Sequence, residues 1–126
     1  MKRRVTPLYH IPVYFTNDAS ELIAFWKKHG AEEKEYDQTA KLNGGMYSAF
    51  EDNEDRTWRI LCVFDGDPGI IAHEATHAAI EVAEHLEINI DFQNSEPVCY
   101  LVQWFFETML GLFPAEPKGP KLQGIA

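Results

Sequence analysis

The segment His73-Glu74-Ala75-Thr76-His77 contains the residues whose types and spacing best suit catalytic chemistry. On an α-helix, positions i and i+4 lie on one face, so both imidazoles can reach the same ion. Glu74 lies between them in sequence, where its carboxylate can act as a base towards a water molecule on that ion. Catalytic zinc usually takes three protein ligands and keeps a fourth position for water. The pattern therefore predicts a zinc site that still needs a third ligand.

Candidates for the third ligand follow the motif in the sequence. His85 lies 8 residues beyond His77, about 12 Å along a continuous helix, which is too far to share the ion. Glu96 begins the next predicted helix, and Asp91 lies in the link before it. If that helix folds back beside the motif helix, Glu96 is the expected ligand. Asp91 is the alternative ligand, or a residue that supports one from outside the coordination sphere.

Local signals predict a helix around the motif. Asp67 can cap its beginning and Pro68 suits its first turn, and the helical pattern continues to about Leu86. Alanines and Val82 recur on one arc of this helix, which predicts a side that packs on the core. The two motif histidines fall nearly opposite that arc. A second, strongly apolar helix is predicted from about Glu96.

The rest of the chain predicts a small sheet and one more helix. An extended or edge strand is expected within residues 5–18, then a helix that ends at Gly30 and a polar loop over residues 31–43. Met46–Phe50 and Thr57–Phe64 read as a hairpin whose second strand is the more central. We therefore predict a single α+β domain with the element order β-α-β-β-α-α over residues 1–113. A loose tail is predicted over residues 114–126.

These features resemble the gluzincins, the thermolysin-like zinc peptidases. In that family a glutamate on a second helix is the third ligand, and here Glu96 follows His77 by 19 residues. The family also has an edge strand with an Asn-Ala-Phe core that binds the substrate backbone. Ser48-Ala49-Phe50 stands at the matching place, with Ser instead of Asn. The resemblance covers roughly residues 45–107 and implies a minimal zincin-like fold with an edge hairpin.

The resemblance also implies a role for each candidate residue. Zn²⁺ would be bound by His73, His77 and Glu96, with Glu74 as the general base. A peptide would lie along the edge strand as an added strand and contact Tyr47, Ser48, Ala49 and Phe50.

Tyr100 follows Glu96 by one helical turn. It is either a packing residue or a hydrogen-bond donor to the oxyanion formed during hydrolysis. The transition-state-stabilising histidine of thermolysin belongs to a C-terminal domain that has no counterpart in this sequence.

The sequence thus predicts a zinc metallopeptidase that acts on a peptide or protein. The alternative is a catalytically weak or inactive protein that keeps the zincin fold and binds or inhibits a protein partner. The missing histidine and the acidity of the chain favour that alternative. The pattern predicts neither a particular substrate nor an oligomeric state.

Composition limits the classes of partner and compartment. The net charge of −9 and the pI of about 4.9 argue against nucleic-acid binding, which needs a basic surface. The basic start of the chain lacks an uninterrupted apolar segment, and no apolar run approaches the roughly 18 residues of a membrane span. A cytoplasmic protein without membrane contact is expected. Cys62 and Cys99 form no CxxC pair and are expected to be buried free thiols, with a disulfide as the alternative.

Overall fold

A computed structural model describes residues 1–30 and 44–114 of the chain. Within these ranges the protein is a mixed α+β fold with a four-stranded sheet and three α-helices. The loop expected over residues 31–43 lies outside the described residues, as does the tail expected over residues 114–126 apart from Pro114. The elements are β1 (Lys2–Val5), β2 (Pro12–Thr16), α1 (Ala19–His29), β3 (Gly45–Glu51), β4 (Thr57–Val63), α2 (Pro68–His85), a 3₁₀ turn (Phe92–Asn94) and α3 (Glu96–Leu112).

The sheet has the strand order β1-β2-β4-β3. β2 and β4 are parallel, while β1 pairs with β2 and β3 pairs with β4 in antiparallel fashion. β4 is thus an inner strand and β3 an edge strand, as the hairpin pattern predicts. An inner strand covered on both faces needs apolar side chains on both sides, and all four residues from Ile60 to Val63 are fully buried.

Helices cover both faces of this sheet. Because neighbouring strand residues point to opposite faces, Leu61 and Val63 pack under α2 and α3, whereas Ile60 and Cys62 pack under α1. The α1 layer is built on Leu22, Phe25 and Trp26. The opposite layer combines β2, α2 and α3 through Val13, Phe15, Ala75, Ala78, Ala79, Val82, Leu101, Phe105 and Met109.

α2 begins and ends with identifiable caps. The Asp67 carboxylate accepts hydrogen bonds from the backbone N–H groups of Gly69 and Ile70, as expected for an N-cap. After the helix, Glu87 adopts a left-handed conformation with φ of 58°. The N–H of Ile88 then donates to the carbonyl of Ala83 at 2.8 Å, which satisfies one of the last carbonyls and turns the chain away.

α3 returns along α2. Residues 86–95 connect the two helices, and part of this link is wound into the 3₁₀ turn. α2 and α3 pack together in one apolar layer. Consecutive helices joined by a short connection usually form an antiparallel hairpin, and we infer that arrangement here, with the beginning of α3 beside the end of α2. None of the helices in the described ranges combines the length and apolarity needed to cross a membrane.

Two features of the fold differ from the sequence-based expectations. The N-terminal segment forms two strands rather than one, because Thr6 and Ile11 close a turn. The Thr6 N–H donates to the Ile11 carbonyl and the Ile11 N–H donates to the Thr6 hydroxyl, both at 2.9 Å. Both cysteines are free, but only Cys62 is buried, since Cys99 lies on an exposed side of α3. The expectation of two buried thiols is therefore wrong for Cys99.

Candidate metal centre

His73 and His77 lie together on the outer side of α2, away from the apolar core. Their Nε2 atoms are 3.3 Å apart and their rings are nearly perpendicular, at 78°. Two imidazole ligands of a tetrahedral zinc ion, each with a Zn–N bond of about 2.0–2.1 Å, have nitrogens about 3.3–3.4 Å apart. The imidazoles therefore already have the separation that a shared tetrahedral ion requires. An N–H···N hydrogen bond between two neutral imidazoles has a similar length, so the neighbouring charge is the more informative feature.

The neighbouring charge is the carboxylate of Glu74. This residue is only 7% exposed, and its Oε1 lies 3.8 Å from Nε2 of His73. One potential ligand atom from each of Glu74, His73 and His77 lies within 4.8 Å of the others. No hydrogen bond to this carboxylate is found within the described ranges. A largely buried carboxylate is costly without a positive or hydrogen-bonding partner, and a cation held by the two imidazoles would supply one.

The structure does not bring the predicted third ligand to this group. Within residues 1–30 and 44–114, neither Glu96 nor Asp91 joins the cluster. Glu96 is exposed at the first position of α3. Asp91 is exposed as well, and its Oδ1 accepts the backbone N–H of Asn94 at 2.7 Å, which caps the 3₁₀ turn.

The antiparallel hairpin explains this placement. It sets the beginning of α3 beside His85, and His85 is 8 residues, or about 12 Å, beyond His77. α3 also packs on the alanine side of α2, whereas the histidines point to the other side. The spacing in the sequence predicted that a second helix follows and packs beside α2, but not the position along α2 at which that helix begins. Tyr100, one turn after Glu96, is 47% exposed, and its expected role towards an oxyanion stays a prediction.

The predicted substrate strand is the edge strand β3. Among the described strands, β3 pairs with β4 alone. Its side chains mostly contribute to the fold: Ser48 is buried and accepts a hydrogen bond from Nε1 of Trp26 at 3.3 Å, and Phe50 packs edge-on against Phe25. Ala49 is exposed. A peptide at this edge would therefore be recognised chiefly by the backbone of β3.

Tyr47 belongs to a polar network that the sequence patterns did not indicate. Its hydroxyl donates to Glu81 on α2, and Glu81 also receives two hydrogen bonds from Arg59 on β4, at 2.7 and 3.1 Å. Burial, followed by the negative charge of Glu81, raises the pKa of Tyr47 well above its usual range. Arg59 is only 4% exposed. The network therefore ties the edge hairpin to the motif helix, and a charged residue within an apolar strand was the signal that could have revealed it.

The charged residues around the histidines are acidic along the chain from Ile60 in β4 to the end of α3. Residues 60–114, which include α2 and α3, contain nine Asp or Glu residues and no Lys or Arg. Their nearest cation in sequence, Arg59, is held by Glu81. An ion or a positively charged group would therefore meet a negative potential over this part of the surface.

No protein-family model, curated protein or solved structure matches this chain. The likeness to gluzincins accordingly rests on the motif, on Glu96 and on the Ser48-Ala49-Phe50 segment alone.

Proposed function

We propose that the protein is a zinc-dependent metallopeptidase of a minimal, zincin-like type. The observation that carries the proposal is the 3.3 Å separation of the His73 and His77 Nε2 atoms beside the largely buried carboxylate of Glu74. Three features of the fold support it: a mixed sheet, an edge strand at β3 and a motif helix that packs against that strand. A cytoplasmic location is part of the same proposal and rests on the sequence.

Each residue of the group has a defined task in peptide hydrolysis. His73 and His77 would hold the ion through Nε2. When bound, zinc polarises the substrate carbonyl and makes a water ligand acidic near neutral pH. Glu74 would take the proton of the attacking water on its carboxylate and later give it to the leaving amine. The backbone of β3 would align the peptide as an additional strand.

Metal analysis is the most direct test of the proposal. We expect about one zinc ion per chain after supplementation and dialysis, and loss of that ion in His77→Ala because one of the two imidazoles is removed. His85→Ala is the matched control, since it removes an exposed imidazole from the same helix outside the cluster. A peptidase assay on the same preparations should show activity that a chelator abolishes. Absence of stoichiometric zinc from the wild type would end the proposal.

The third ligand requires its own measurement. Because Glu96 lies outside the cluster, Glu96→Gln is expected to weaken zinc binding less than His77→Ala does. Asp91→Asn is expected to have a still smaller effect. A competitive chelator titration ranks the three variants. A loss of tenfold or more in Glu96→Gln, on the order seen when a ligand or its close support is removed, would instead establish Glu96 as the ligand that the sequence predicts.

The placement of Glu96 also favours a second candidate function. A site with two imidazoles and no third ligand in the cluster suits a protein that uses the zincin-like fold to bind or inhibit a partner. Wild type that holds zinc and binds a peptide or protein, yet cleaves none of a broad peptide library, would identify this function. Zinc-dependent cleavage of any member of the library would exclude it.

A further inference from the structure

Carboxylates flank the histidine pair at both ends of α2. Glu84 lies 7 residues after His77 on the same side of the helix and is exposed, about 10 Å away along the axis. Asp67 lies 6 residues before His73 at the exposed N-cap, about 9 Å away. Both distances are close to the Debye length of about 8–10 Å at physiological salt, so both charges act on a ligand at the histidines.

Among the described residues, α2, α3 and β3 carry no Lys or Arg that could pair with these charges. Arg59 is buried, and its guanidinium binds Glu81 at 2.7 Å. The other Lys and Arg residues within the described ranges lie on β1, on α1 and in the turn between β3 and β4: Lys2, Arg3, Arg4, Lys27, Lys28 and Arg56. The negative potential around the histidines is therefore open to an external cation.

The direction of β3 relative to α2 indicates which residues of a bound peptide would lie near these carboxylates. A Cβ added to Gly44, just before the strand, would lie 2.5 Å from Cδ1 of Ile70 in the first turn of α2. Farther along β3, the hydroxyl of Tyr47 reaches Glu81. β3 therefore runs along α2, and an extended peptide added to its outer edge would do the same. At about 3.3 Å per residue, 9–10 Å corresponds to roughly three residues.

The centre of the same surface contains a further acidic group. Glu74 is 93% buried, since its exposed fraction is 7%, and its carboxylate faces the imidazole of His73 at 3.8 Å without a hydrogen-bond donor in the described ranges. This observation is independent of the exposed acids and points to a cationic occupant at the centre.

We propose that the ligand of this surface is a basic peptide, with Lys or Arg about three residues to either side of the peptide bond that lies over His73 and His77. The step from binding to cleavage rests on the proposed peptidase function, whereas preferential binding does not.

Two matched fluorescent peptides test the proposal. They share one sequence and differ only at the third position on each side of the centre, which is Lys in one peptide and Glu in the other. Fluorescence anisotropy with the zinc-supplemented Glu74→Gln variant measures binding without turnover. We expect at least about tenfold tighter binding of the Lys peptide at 50 mM salt and a much smaller preference at 500 mM, since exposed charges are screened.

Two variants with the same change of charge locate the effect. Glu84→Gln should reduce the preference for the Lys peptide by about two- to threefold. Glu54→Gln changes a 73% exposed carboxylate in the turn between β3 and β4 and should leave the preference unchanged. Equal reductions in both variants would reflect net charge alone and would overturn the assignment to this surface.

Cleavage of the two peptides by the zinc-supplemented wild type separates the two proposals. If both peptides bind equally well, the basic-ligand inference fails, whether or not either is cleaved. If the Lys peptide binds preferentially and neither is cleaved, the inference stands and the peptidase proposal loses its support. If both are cleaved and bind without preference, the peptidase function stands and the inference fails.

Discussion

The two helical layers that cover the sheet share the same strands but differ in charge and in the surroundings of their histidines. The α1 layer has two Lys and one Glu on its helix, whereas α2 and α3 together have five Glu and no Lys or Arg. It also has a cavity of about 400 Å³ with aromatic walls that include Tyr14, Phe25 and Trp58. At this cavity His29 stacks on Trp58, with the ring centroids 3.6 Å apart.

The contrast shows that surroundings, more than residue type, distinguish a ligand from a packing residue. His29 has aromatic neighbours, and its burial, followed by the charge of Lys28, lowers its pKa. His73 and His77 instead have each other and a carboxylate as neighbours, and they are exposed. An imidazole covered by an aromatic ring is poorly placed to bind an ion. A pair one turn apart with a nearby carboxylate is well placed to do so.

The largest expected effect is on hydrolysis, and it is tested by replacing one glutamate in each helical layer. Glu74→Gln keeps the shape of the side chain and both imidazoles but removes the base. Hydrolysis should therefore fall by roughly 10²- to 10⁴-fold while zinc content is retained. Glu21→Gln, on α1, should leave hydrolysis unchanged. Turnover and metal content are measured in the same preparations. Equal activity of Glu74→Gln and wild type would mean that Glu74 is not the base and that the two glutamates do not differ in their effect on hydrolysis.

A smaller effect concerns stability and compares two arginines on neighbouring parts of the hairpin. Arg59→Ala leaves Glu81 and Tyr47 without their cation beneath α2, and it should lower the free energy of unfolding by roughly 3 kcal/mol. Arg56 pairs with Asp52 and Glu54, but its side chain is 62% exposed. Arg56→Ala should therefore cost less than about 1 kcal/mol. Denaturant unfolding of both variants checks the ranking, and similar losses would show that the two ion pairs are equivalent.

The smallest expected effect is a pH dependence from the α1 side. The pKa of His29 is lowered in the folded protein, so the unfolded chain binds its proton at a higher pH than the folded chain does. Stability should therefore decrease as the pH falls from above the unfolded pKa of about 6.5 towards the lowered folded value. In His29→Gln the decrease between pH 7 and pH 5 should be shallower. Denaturant midpoints at a series of pH values measure it, with His85→Gln as the control, and parallel curves for wild type and His29→Gln would contradict the expectation.

The sequence predicted the features that depend on residues close together in the chain, and it missed those that depend on residues far apart. Asp67, Pro68 and the alanine arc act locally or with helical period, and α2 was predicted to within one residue of its observed end at His85. The inner position of β4 followed from its apolar residues. The position of Glu96 depends instead on where the 3₁₀ turn allows α3 to begin, and the Tyr47–Glu81–Arg59 network joins three elements. Such long-range geometry has no periodic signature in the sequence.

The different environments of the two cysteines make the protein suitable for selective chemical labelling. Burial raises the pKa of Cys62 to about 12 and leaves little thiolate there at neutral pH. Cys99 lies exposed on the first turn of α3, three residues after Glu96. A maleimide dye or spin label should therefore attach to Cys99 and leave Cys62 unmodified. A probe at this position would report directly whether the start of α3 moves towards the motif helix when zinc is added.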